Sequence, residues 1–105
     1  MGLEKSFGGE AATMKQTYNG THYLNRNATA VIGDGSVMSG RWFLVVHEVT
    51  NNAVIGLYHI KDGVISVDNT CPYCSISCNS NGIIMLQNFT TQQTGFTVYL
   101  YKIGG

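Results

Sequence analysis

Charge is what this chain has least of. Its six Lys and Arg and six Asp and Glu make up only 11% of 105 residues, and the formal net charge is zero. Such a balance offers no field to attract nucleic acid or an anionic membrane surface. The cations Lys5, Lys15, Arg26, Arg41, Lys61 and Lys102 are scattered and form no basic run. Low charge with a pI near 6.8 predicts poor solubility as a free monomer, which assembly would relieve. Proline is almost absent: Pro72 stands alone, which suits a sheet protein with intact ladders. No stretch approaches the roughly 20 apolar residues of a membrane-spanning helix. Residues 1–13 carry Glu4 and Glu10 and lack the apolar centre of a secretory leader, so release is expected by another route, such as lysis. Three cysteines, an odd number, do not make a disulfide framework. Buried, reduced thiols are the expectation.

What is present is β-patterning. Residues 41–49 are aromatic and β-branched and apolar on both faces, the pattern of a central strand covered on both sides. Residues 53–60 read as its return strand after a turn at 50–52. Lys61-Asp62-Gly63 supplies the positive φ of a tight hairpin, and 64–67 a short strand. Further strands are expected at 28–32, 74–78, 83–89 and 96–103. In the last, Phe96, Val98 and Leu100 share one face, and Tyr99, Tyr101 and Ile103 the other. Regular turn signals between about seven or eight short strands predict an all-β fold: one small antiparallel β-sandwich, jelly-roll-like. Residues 1–40 are glycine-rich, with a short helical turn conceivable at 10–15. They are expected to form an extended N-terminal arm and first strand ahead of a sandwich body at 41–105.

Motifs with chemistry are few. Cys71-Pro72-Tyr73-Cys74 matches the dithiol of glutaredoxins, which need the first cysteine at a helix N-terminus. Here the following residues, Cys74-Ser75-Ile76-Ser77-Cys78, alternate as a strand with Cys74, Ile76 and Cys78 on its core face. There is also no second proline to serve as the later cis-proline of such folds. Zinc held by Cys71, Cys74 and Cys78, with His59 or His47 as fourth ligand, is an alternative. Against it, Cys74 and Cys78 lie about 13 Å apart along a strand. His22, His47 and His59 have no nucleophile at a recognisable elbow, and no G-x-S-x-G or H-E-x-x-H is present. Asp34 and Asp62 sit in glycine turns, while Glu48 and Asp68 form no evident acid–base pair. Asn19, Asn27 and Asn88 head formal glycosylation triplets of the kind an Asn- and Thr-rich chain produces by chance. Tyr18, Tyr23, Tyr58, Tyr73, Tyr99 and Tyr101 with Trp42 would suit a sugar platform. Trp42, Phe43 and Tyr58 are instead expected in the core, and Tyr99 and Tyr101 at a subunit contact. No catalytic, cofactor-binding or metal-binding residue is assigned, and no enzyme activity is expected.

The run Gly40-Arg41-Trp42-Phe43-Leu44-Val45-Val46, through Gly56-Leu57-Tyr58-His59-Ile60, to Asp62-Gly63-Val64-Ile65-Ser66 resembles small β-sandwich virion proteins of tailed bacteriophages. So do the Asn-rich hairpin and the closing strand that follow. The resemblance covers residues 40–105 and lies in layout. It implies a capsid decoration, auxiliary or fibre subunit acting through protein–protein assembly. The partners would be other virion proteins and copies of itself, such as a trimer, in a virion assembled in the host cytoplasm. The arm of residues 1–40 would dock onto neighbouring subunits. The alternatives are a carbohydrate- or receptor-binding sandwich that meets a host glycan and, more remotely, a dithiol redox or zinc-binding domain at Cys71 and Cys74.

Overall fold

Alternation, turn chemistry and β-branched content produce eight strands in the computed structural model, which describes residues 13–50 and 55–104. They are β1 (Met14–Leu24), β2 (Thr29–Ile32), β3 (Arg41–Glu48), β4 (Ile55–Lys61), β5 (Val64–Asn69), β6 (Cys74–Cys78), β7 (Ile84–Asn88) and β8 (Thr94–Ile103). Every neighbouring pair is antiparallel. Five strands form one sheet in the order β1-β8-β3-β4-β5, and three form a second in the order β2-β7-β6. First strand pairs with last, and second with second-last, so the chain is rolled up from its ends as a jelly roll is. The architecture is the small all-β sandwich expected from the strand spacing.

The core lies between the sheets. Leu44 and Val46 of β3, Tyr58 and Ile60 of β4, and Phe96, Val98 and Leu100 of β8 face Ile32, Ile84 and Leu86 of the smaller sheet, all buried. The segment between β2 and β3 closes one end: buried Val37 donates its N–H to the Gly82 carbonyl at 2.8 Å. Trp42 half-buries beside it, with its Nε1–H on the Ser39 carbonyl at 2.9 Å and the Lys102 ammonium 5.4 Å from its ring centre. At the other end Asn88 is fully buried. Its Nδ2 donates to the carbonyls of Leu24 and Gln92 at 2.8 and 3.0 Å, and its Oδ1 accepts the Thr90 N–H at 2.8 Å. A buried amide satisfied in this way ties the β1–β2 and β7–β8 connections to β7. The β4–β5 hairpin turns on Asp62 and Gly63, both with positive φ (48° and 81°), as a two-residue primed turn requires.

Two departures from the sequence-based expectation bear on function. Residues 14–24 are not part of an arm. They form β1, which pairs along β8 from Met14↔Ile103 to Leu24↔Thr94 with one irregularity at Thr17. Met14 and Lys15 are therefore strand rather than helical turn. Residues 1–12 of the expected arm, and residues 51–54, on which most of the expected turn at 50–52 and the start of the expected strand at 53–60 fall, lie outside the described residues. Phe43, in turn, is not in the core. It points out from the far side of β3 and is half-exposed.

Candidate functional site

Register places an apolar field on the outer face of the five-stranded sheet. One cross-strand row runs Tyr101, Phe43, His59, Ser66 from β8 to β5. The next runs Tyr99, Val45, Leu57, and a third Thr97, His47, Ile55. Ile103, opposite Arg41, extends the field at one end. Phe43, Val45, Leu57, Tyr99, Tyr101 and Ile103 are all half-exposed, and Ile55 is 43% exposed. The Phe43 and His59 rings meet at 5.1 Å between centres. His59 also pairs through Nδ1 with the Asp68 carboxylate on β5. Arg41, His59 and Lys61 edge a shallow hollow of about 220 Å³ beside Ile103. The face is thus an apolar centre with a polar rim, the composition of a protein–protein contact.

β3 is the reason this face matters. It is the middle strand of its sheet, and its sequence is apolar on both sides. The expectation was cover on both faces. Among the described residues only the Leu44 and Val46 side is covered.

The cysteines form a second cluster. Pro72 and Tyr73 make a turn between β5 and β6, so Cys71 precedes the turn and Cys74 opens β6. Both are buried, and all three cysteines are free. Cys71 and Cys74 bracket the turn and line one surface depression. Hydrogen bonding toward Cys71, from the Cys74 side chain first and then from the Tyr73 and Cys74 backbone, outweighs burial and draws its thiol down from 9.0 to about 7. Cys74 moves up because its proton is held by Cys71 and because it is desolvated. Burial raises Cys78 as well. Tyr58 fixes the turn: its phenolic oxygen accepts the Cys71 N–H at 3.1 Å, and burial pushes its own ionisation up.

The other expected candidates separate. His47 and His59 share the outer face, but they stand two cross-strand rows, about 13 Å of strand, apart. His22 faces inward on β1 with its Nε2 at 2.6 Å from the Tyr18 hydroxyl. Cys78 sits four strand positions from Cys74, and His59 is on the far side of the other sheet. Among the described residues no group of three or more His, Cys, Asp and Glu is placed to hold a metal. Glu48 is buried, and its carboxylate accepts the Thr50 N–H. Asp62 accepts the Gly40 N–H at 2.8 Å. The tyrosines form no single platform, with Tyr58 in the core, Tyr99 and Tyr101 outside, and Tyr73 in the cysteine turn. A depression of about 400 Å³ brings Glu48 and Thr94 together with Tyr73, Phe89, Thr90 and Gln92. Sequence reasoning did not find it, because its lining comes from three separate segments.

Set against known proteins, the chain matches no family model, no curated protein and no solved structure. Function therefore rests on the fold and these surfaces. They define an antiparallel two-sheet sandwich with one apolar outer face.

Proposed function

We propose that the protein is a structural subunit that works by assembling with further copies of itself through the outer face of the five-stranded sheet. The observation that carries this is β3, a strand apolar on both sides and, among the described residues, covered on one. Five strands about 4.8 Å apart and roughly eight residues long offer a face of about 600 Å². Two such faces bury about 1,200 Å² together, within the range of specific interfaces. Zero net charge adds no repulsion between copies. The sequence layout of residues 40–105 supports reading this subunit as a capsid decoration or fibre part of a tailed-bacteriophage virion. In that role it would contact other virion proteins and need no cofactor.

The test is native mass spectrometry of the wild type beside Val45→Glu. A closed oligomer in the wild type and a folded monomer in the variant are expected, because a carboxylate at the centre of the contact would be buried without a partner. A wild type that stays monomeric at its highest soluble concentration would sink the proposal.

A second reading, a glycan-binding module, is favoured by the 400 Å³ depression, where exposed Phe89 and Tyr73 stand beside the hydroxyls of Thr90 and Thr94. It predicts saturable binding on a glycan array that Phe89→Ala abolishes.

A further inference from the structure

Assembly makes no use of the cysteine turn, yet its construction is more than packing. Thiols that merely fill a core need no polar neighbours. Cys71 and Cys74 stand buried at the two ends of the Pro72-Tyr73 turn. Cys71 donates its N–H to the Tyr58 hydroxyl at 3.1 Å. On its other side it lies against Gly56 of β4, where a side-chain Cβ would approach the Cys71 Cβ to 2.8 Å. Gly56 thus lets the turn seat on the sheet. Both cysteines line a surface depression of about 340 Å³, together with Thr70, Pro72, Ser75 and Phe89. A chain reversal of this kind keeps its first and fourth Cα atoms within about 7 Å, the separation a disulfide spans.

We infer that Cys71 and Cys74 form a thiol–disulfide exchange site that takes a low-molecular-weight disulfide from the depression beside Pro72 and Phe89. Cys71 is the attacking sulfur. Its thiolate displaces one thiolate from the incoming disulfide and leaves a mixed disulfide on Cys71. Cys74 then passes its proton to the departing thiolate and attacks the Cys71 sulfur, which releases the second half of the reagent as a thiol. One disulfide is reduced to two thiols, and the protein dithiol is oxidised to one intramolecular disulfide. A Cys71 ionisation drawn down to about 7 agrees with this order. The charged and titratable groups facing the pair are Glu48, which opposes the thiolate, and Tyr58, whose ionisation is pushed up by burial. Cys78 is raised by burial, lies at the far end of β6 and serves as an internal control.

The experiment treats the full native chain with oxidised glutathione, alkylates the remaining thiols and maps them by peptide mass spectrometry. A Cys71–Cys74 link with Cys78 still alkylated is expected. Cys74→Ser should accumulate one glutathione, on Cys71, because no resolving thiol remains. Free Cys71 and Cys74 in the treated wild type, oxidation only after unfolding, or a link to Cys78 would each overturn the inference. The wild-type map decides the matter even if the variant does not fold.

Discussion

The two outer faces of the sandwich are built from the same kind of strand and differ in what they ask of their surroundings. On the three-stranded sheet the outward rows are Thr29, Gln87, Ser75 and Val31, Met85, Ser77. Water satisfies most of that surface. On the five-stranded sheet the corresponding rows are Tyr101, Phe43, His59 and Tyr99, Val45, Leu57. Antiparallel sheets commonly bury one face and wet the other, and the smaller sheet does so. The larger sheet carries core-like residues on both sides. Monomeric soluble proteins rarely expose contiguous apolar patches larger than a few hundred Å², and the largest patch is often a functional one. The inner face sets how the chain folds, and the larger outer face is the one proposed to set how it associates.

Two phenylalanines on adjacent strands test that division most strongly. Phe96 is fully buried between the sheets, whereas Phe43 stands on the outer face. Phe96→Ala should cost about 3–5 kcal/mol in urea denaturation. Phe43→Ala should cost the isolated subunit far less and instead weaken association. Equal losses of subunit stability would break the comparison, because both faces would then belong to the fold.

A smaller effect should come from the cysteine turn, where the smaller sheet's inner face becomes polar. Under reducing conditions the native pair gives up its first proton near pH 7, while unfolded cysteines hold theirs to about 9.0. The native state therefore binds fewer protons between those values, and stability should rise with pH across that window. It should be lost as pH falls through about 7. Above about 9.0 the unfolded chain releases a second proton that native Cys74 retains, so stability should fall again. Urea midpoints across this range should trace a maximum in the wild type and flatten in Cys71→Ser. A wild-type profile as flat as the variant's would remove the hydrogen bonds on Cys71 as the cause.

Much of this contrast was legible in the sequence. The opposite facing of Phe96, Val98 and Leu100 against Tyr99, Tyr101 and Ile103 follows from period two alone, and so does the two-sided character of residues 41–49. Periodicity does not say which side of a two-sided strand finds cover within the chain, and Phe43 was assigned to the wrong side for that reason. β1 escaped notice because its inward positions, Tyr18, Gly20, His22 and Leu24, include only two large apolar residues. It is a strand because β8 offers it a full-length edge, and such a non-local cause outweighs local preference. The Cys-x-x-Cys spacing was plain. The shared depression that both cysteines line was not, since it depends on the turn at Pro72 and Tyr73 and on Phe89 from a separate segment.

The smallest expected effect is also the cleanest control. Met85 lies in the middle of the smaller sheet's outer face, opposite Val31 and Ser77 and half-exposed. Met85→Glu places there the same carboxylate that Val45→Glu places on the larger sheet. If the two faces differ as their rows indicate, the charge at Met85 stays in water. Stability should then change by no more than about 0.5 kcal/mol, as for most surface substitutions. The oligomeric state in native mass spectrometry should not change at all. Dissociation by Met85→Glu as complete as by Val45→Glu would mean that both faces are contacts. The polarity of Thr29, Gln87 and Ser75 would then no longer explain why one sheet of this sandwich faces solvent and the other a partner.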